Sequence, residues 1–143
     1  MANQGLGLTG ATDGVSRSQL WTGRILSGMV VVFLLFDGVT KLMHIPAVVE
    51  ATTKLGYPES SVTTIGVIVL VCTLLYVIPR TAALGAVLLT GFLGGAVATQ
   101  LRVGNPLLTH ELFPVYVGAF VWGGLWLRYP RLRSLIAEGG PRI

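Results

Sequence analysis

An acid, an amine and an imidazole stand at Asp37, Lys41 and His44, just after the apolar run MVVVFLLF. On a helix each residue advances about 100°, so the three fall within a sector of roughly 60°. Asp37 and Lys41 are four residues apart in the favourable order, acid before base, and pairing is the usual way for a carboxylate to be tolerated beside lipid. A later apolar run also closes on polar residues: Thr99-Gln100-Leu101-Arg102, then the turn Gly104-Asn105-Pro106, then Thr109-His110-Glu111. Asp37, Lys41 and Glu111 are the candidates for general acid or base chemistry. Lys41, His44, Gln100, Arg102 and His110 are the candidates for holding a ligand. A few polar groups converging in an apolar setting suit hydrogen bonding to the carbonyls of a lipophilic, quinone-like molecule or proton transfer on a hydrophobic substrate. The competing reading is that Lys41 snorkels toward headgroups, Asp37 is its counter-ion and His44 is interfacial. Metal or haem ligation is disfavoured and no metal site is assigned, because neither H-x-x-x-H nor E-x-x-H spacing occurs. A serine hydrolase is disfavoured too, since no nucleophile elbow is present.

The elements that must position these residues follow from composition. The chain has 143 residues, of which 52% are hydrophobic and only 11% charged; ordinary soluble domains carry roughly 25% charged residues. A chain of this size has too much surface to hide that much apolar material in water, so the lipid bilayer is its expected partner. The net charge of +4 then points to anionic headgroups rather than nucleic acid, for which there is no basic stripe or aromatic platform. Cys72 is the only cysteine, which excludes an internal disulfide and a C-x-x-C redox pair and leaves a small buried apolar side chain.

Crossing the hydrocarbon core takes about 20 helical residues, and four segments approach that length: 20–43, 62–78, 81–101 and 112–129. The expected fold is therefore all-α, a four-transmembrane-helix bundle over 20–133, with a flexible tail at 1–19 and a second tail at 134–143. The short Pro79-Arg80 joint makes spans two and three an antiparallel hairpin. Seven of the ten basic residues, Arg17, Arg24, Arg80, Arg128, Arg131, Arg133 and Arg142, fall on one side of such a bundle. The positive-inside rule makes that side cytoplasmic, in a multi-pass protein of the inner membrane with both termini inside. Trp21, Trp122, Trp126, Tyr76 and Tyr129 fall toward the same side, where aromatic anchors are expected. The ends of spans one and three rhyme: FLLFDGVTKL and FLGGAVATQL share Phe, Leu, Thr and Leu in register. This hints at two weakly related parallel hairpins, with Lys41 and Gln100 at equivalent depth. Gly91 with Gly95, and Ala119 with Gly123, are small-x-x-x-small pairs of the kind that let helix backbones approach in lipid.

Four stretches together resemble the DoxX-like group of small four-helix membrane proteins: F-x-G-x-x-K-L at 36–42, L-G-Y-P-E at 55–59, L-L-Y-V-I-P-R at 74–80, and G-A-V-A-T-Q-L-R-V-G-N-P at 95–106. The resemblance runs from about Arg24 to Arg133 and implies the same four-span fold. The group's namesakes are associated with quinone-linked sulfur oxidation, and distant relatives look more like membrane chaperones. Members often carry a glutamate in a G-x-x-E pattern in span two, where this chain has Val69. They also often have histidine at the position of Gln100. Three functions are therefore expected in turn. The first is binding of a lipophilic molecule, quinone-like or lipid, in an outward-facing polar pocket, as a subunit of a membrane oxidoreductase complex. The second is a non-catalytic assembly factor, or the partner subunit of another membrane protein or of a second copy. The third is a stand-alone membrane enzyme using acid–base chemistry.

Overall fold

The computed structural model describes residues 16–106 and 112–137. The amino tail through residue 15, the segment 107–111 with His110 and Glu111, and residues 138–143 lie outside the described residues. Six helices make up the rest: α1 (Arg17–Leu42), α2 (Pro46–Lys54), α3 (Ser60–Val77), α4 (Ala82–Val103), α5 (Phe113–Arg128) and α6 (Pro130–Ala137). Among the described residues there is no strand, and the class is all-α. α1, α3 and α4 are each long and apolar enough to cross a membrane. α5 has 16 residues, about 24 Å of helix at 1.5 Å per residue, and packs as the fourth member of the bundle.

The four long helices form a closed ring in which α1 meets α3, α3 meets α4, α4 meets α5, and α5 returns to α1. α1 begins, α3 ends, α4 begins and α5 ends at one end of the ring, here called basal; the opposite end is distal. Val69, Tyr76, Leu89, Val121 and Leu125 are enclosed at the centre. Only 28–33% of the apolar stretches of α1, α3 and α4 is buried within the chain. The remainder, including Val32 and Phe36 at about 70% exposure, needs lipid around it. Apolar surface outside and little charge inside is what a bundle dissolved in hydrocarbon requires.

Backbone proximity at three seams depends on missing side chains. A Cβ at Gly85 of α4 would lie 2.3 Å from the Tyr76 nitrogen on α3. One at Gly38 of α1 would lie 2.5 Å from Leu70 Cγ on α3, and one at Gly124 of α5 would meet the Ser27 hydroxyl of α1 at 2.3 Å. The pair expected to do this work does not. Gly91 and Gly95, with Gly94 between them, face outward from α4, and a Cβ at any of them would meet nothing within 4 Å. Ala119 is exposed, and Gly123 reaches only Leu26 Cδ1 at 4.0 Å. Spacing along one helix identifies a smooth face but not which way that face points.

Two short helices occupy stretches that the apolar pattern leaves as connector and tail. α2 and α6 begin at Pro46 and Pro130, where a fixed φ and a missing N–H suit the first helical position. α1 starts three residues before the expected boundary, with the Ser16 hydroxyl accepting the Gln19 N–H as an N-cap. The rhyming positions of α1 and α4 also share burial. Leu34 and Leu93 are both enclosed, as are Thr40 and Thr99, whose hydroxyls return to carbonyls of their own helices.

Candidate functional site

At the distal end the residues singled out by type and spacing find partners close to home. Lys41 Nζ donates to Asp37 Oδ1, and the lysine side chain is only 13% exposed against 32% for the aspartate. The Lys41 stem lies across α3, 3.0 Å from where a Gly66 Cβ would stand, so the pair is wedged between α1 and α3. His44 is not on the same helical face, because α1 has ended at Leu42 and His44 has φ +51°, in the left-handed region. Its exposed ring turns toward α3: Nδ1–H donates to the Leu42 carbonyl at 3.2 Å, which leaves Nε2 to accept from the Thr63 hydroxyl at 3.2 Å. Gln100 Oε1 accepts the Asn105 amide. Arg102 donates to the Leu55 carbonyl at 2.8 Å, alongside Gly56 in its own left-handed turn.

The L-G-Y-P-E connector that follows α2 is thus the distal clasp. Thr99 uses its hydrogen on the Gly95 carbonyl, so the 2.8 Å contact with Tyr57 is a bond donated by Tyr57. Together, Arg102–Leu55 and Tyr57–Thr99 fasten the loop between α2 and α3 to the end of α4. On α2 itself, Glu50 and Lys54 form an exposed ion pair at 2.7 Å. The hydrogen bond and the charge of Lys54 hold the Glu50 carboxyl below its ordinary range. Asp37 and Lys41 meet each other, His44 meets Thr63, Gln100 meets Asn105 and Arg102 meets the connector. These bonds spread the five over α1, α3, α4 and the connector. Among the described residues no three His, Cys, Asp or Glu cluster as a metal site would require. Glu111 and His110, also candidates, lie outside the described residues.

The basal end is built differently. Tyr76 is completely buried rather than interfacial. Its hydroxyl donates to the Val121 carbonyl of α5 at 2.8 Å, and so accepts from Ser27 of α1 at 2.9 Å. One side chain of α3 thereby joins three helices. Trp122 is likewise drawn inward, donating to Thr90 of α4 at 2.8 Å, whereas Trp21 remains 59% exposed as an interfacial anchor would be.

Above Tyr76 lies a groove of about 230 Å³ between α1, α3 and α5, walled by Arg24, Ser27, Val31, Tyr76, Val77 and Arg128. The Arg128 guanidinium sits 5.6 Å from the Tyr76 ring centre and 5.4 Å from that of Tyr129, within cation–π range of both. Its Nε and Nη2 are buried and have no hydrogen-bond partner among the described residues. Buried donors are nearly always paired, and a charged one left unpaired is costly. A second concavity of about 190 Å³, lined in part by Arg80, Tyr129, Arg131 and Leu132, opens beside α6. The described acids, Asp37, Glu50 and Glu59, all belong to the distal half, so the basal arginines are not offset by any described carboxylate. Sequence reasoning sorted these arginines by orientation alone. The signal available is Tyr76, which lies in the last turn of α3, four residues before Arg80 of the joint.

Comparison with curated proteins and with solved structures gives no match. A family model, described as the DoxX-like family, matches residues 25–124. That stretch runs through all four bundle helices, from the start of the α1 apolar run to the Gly124 seam, and includes the Asp37–Lys41 pair, the distal clasp and Tyr76. This integral membrane chain belongs to the DoxX-like family.

Proposed function

We propose that this DoxX-like protein binds a lipophilic molecule with a polar head, quinone-like or lipid, in the basal groove between α1, α3 and α5. The observation that carries the reading is Arg128, whose two buried donors meet no acceptor among the described residues, in a groove whose other walls, exposed Arg24 apart, are apolar or internally bonded. A ligand oxygen satisfies them once the guanidinium pivots on its long side chain, and the valines of the wall accept the adjoining apolar part. The distal residues Asp37, Lys41, His44, Gln100 and Arg102 serve in this reading as clasp and counter-charge, each already engaged. Where the bound molecule is a quinone, the chain acts as a subunit of a membrane oxidoreductase complex. The proposed setting is the inner membrane with the basal end cytoplasmic, following the arginine distribution.

The test uses Gly28, which lines the groove and where an added Cβ would meet nothing within 4 Å. Gly28→Leu therefore fills the groove without disturbing packing. Full-length protein is purified from its membranes in mild detergent, and quinones and lipids that accompany it are quantified by mass spectrometry and absorbance. The expected result is a stoichiometric amphiphile in the parent and its loss in Gly28→Leu. An equal yield from both proteins overturns the reading.

A second reading is favoured by one observation. On the outward face of α4 a Cβ added at Gly91, Gly94 or Gly95 would meet nothing within 4 Å among the described residues, and smooth faces are where helices meet in lipid. This supports a partner subunit role in which α4 contacts a helix of another membrane protein. Gly91→Leu is expected to abolish a complex recovered by membrane crosslinking, and an unchanged crosslinking pattern removes this reading.

A further inference from the structure

We infer that the basal groove selects a phosphate-bearing anionic head, that of an acidic membrane phospholipid, over an uncharged lipophile; this rests on the groove being the binding site. The polar inventory of the groove decides the chemistry. Both of its hydroxyls are consumed internally, Ser27 donating to Tyr76 and Tyr76 to the Val121 carbonyl. What remains to meet a ligand is guanidinium: exposed Arg24 from α1 and Arg128 from α5. Arginine offers only donors and only positive charge. No described carboxylate stands at this end to neutralise either one.

A quinone carbonyl can accept one of these hydrogen bonds but leaves two positive charges that no described carboxylate compensates at the edge of lipid. A phosphate diester supplies acceptor oxygens and a formal charge, and guanidinium–phosphate pairing is the strong, geometrically specific form of this contact. The Arg128 guanidinium lies within cation–π range of Tyr76 and Tyr129, and its unpaired Nε and Nη2 are the two-pronged edge that an oxyanion fits once the side chain pivots. Size agrees. The groove of about 230 Å³ is ample for a small polar head, since one water needs only about 10–15 Å³ on the same measure. The chains of such a lipid lie in the bilayer, past the Val31 and Val77 wall.

The shared chemistry of a lipid head and a soluble phosphate ester is the same oxyanion, and the apolar wall beside it assigns the lipid. The experiment places full-length protein in nanodiscs of phosphatidylcholine with or without phosphatidylglycerol and counts retained lipids by native mass spectrometry after release. The parent is expected to retain phosphatidylglycerol about tenfold over phosphatidylcholine, the size of effect that one or two charge-assisted hydrogen bonds give. Arg24→Gln and Arg128→Gln should each remove most of that preference, and Arg131→Gln, outside the groove, should not. Arg128→Lys, which keeps the charge and loses the two-pronged edge, should fall between, and thermal unfolding of each variant confirms that it is folded. No preference in the parent, or a preference untouched by Arg24→Gln and Arg128→Gln, overturns the assignment. Displacement by soluble glycerol phosphate at the same concentration as the lipid overturns the membrane source. Retention of an added neutral quinone that Gly28→Leu abolishes and Arg24→Gln leaves intact overturns the anion while preserving the groove. Loss of no amphiphile in any groove variant removes both readings.

Discussion

Gly85→Ala adds one methyl group to α4 where the neighbouring atoms are backbone and cannot rotate away. The new carbon would stand 2.3 Å from the Tyr76 nitrogen, 2.5 Å from its Cα and 2.7 Å from the Leu75 carbonyl carbon, against an ordinary separation of about 3.5–4.0 Å. Relief requires α3 and α4 to part by about 1 Å, as a wedge hinged at the Pro79-Arg80 joint. A gap of that size forfeits a quarter to a half of each dispersion contact it opens. The seam affected holds buried Tyr76, Ala82, Ala86 and Leu89. Overpacking of this kind costs about 1–3 kcal/mol, occasionally more, and rigid backbone on both sides puts Gly85 at the upper end. Against this, alanine gains about 0.8–1.0 kcal/mol over glycine within a helix. The expected net loss is about 2 kcal/mol. Gly91→Ala on the same helix makes no contact and keeps only the helical gain, so it should unfold no earlier than the parent. Reversible unfolding in mixed detergent micelles, followed by far-ultraviolet circular dichroism, measures both. Equal stability for Gly85→Ala and Gly91→Ala would refute the claim that α3 and α4 are in backbone contact at this point.

Two further outcomes follow from the distal end. Lys41→Met and Asp37→Asn should each destabilise by about 1–3 kcal/mol, because each leaves a partly buried partner alone. The double variant should recover most of the loss in a double-mutant cycle by the same unfolding assay; additive losses would show that the two side chains do not act as a pair. Glu50 should titrate below its ordinary 4.5 in a carboxyl-carbon NMR titration and return toward it in Lys54→Ala. A lowered folded-state value means that the pair helps the folded protein above the ordinary value, and that this help is lost as pH falls through the folded-state value. A Glu50 titration unmoved by Lys54→Ala would break that link.

The four helices were legible because lipid imposes length and apolarity together, and Pro79-Arg80 left no room for anything but a hairpin. The distal ion pair was legible for a related reason: i,i+4 spacing within one continuous helix is local geometry. His44 shows where such geometry stops. A sector drawn on an ideal helix placed it beside Asp37, but the helix ends at Leu42 and a left-handed residue turns the imidazole to Thr63. The glycines show the same limit from the other side. Gly91 and Gly95 match the familiar spacing, whereas Gly38, Gly85 and Gly124 are among those in close contact, each against a residue remote in sequence. By its place near the end of a span Tyr76 reads as an anchor at the membrane surface; only the packing of Ser27 and Val121 around it makes it a buried pin. The arginines were read as a charge count, and their arrangement in a groove depends on α1 and α5 being neighbours, which closure of the ring decides.

That Tyr76 bond carries a consequence for the birth of the protein. During synthesis α1, α3 and α4 emerge before α5, and until α5 arrives the Tyr76 hydroxyl has Ser27 but lacks the Val121 carbonyl it donates to. A half-made bundle thus holds a Tyr76–Ser27 hydroxyl pair one acceptor short of its finished network, and a carbonyl from the last helix completes it. The Gly23–Gly124 gap at the α1–α5 seam gives that helix room to come close enough. Chains released before residue 121 therefore lack the bond by which this phenol ties α3 to the last helix.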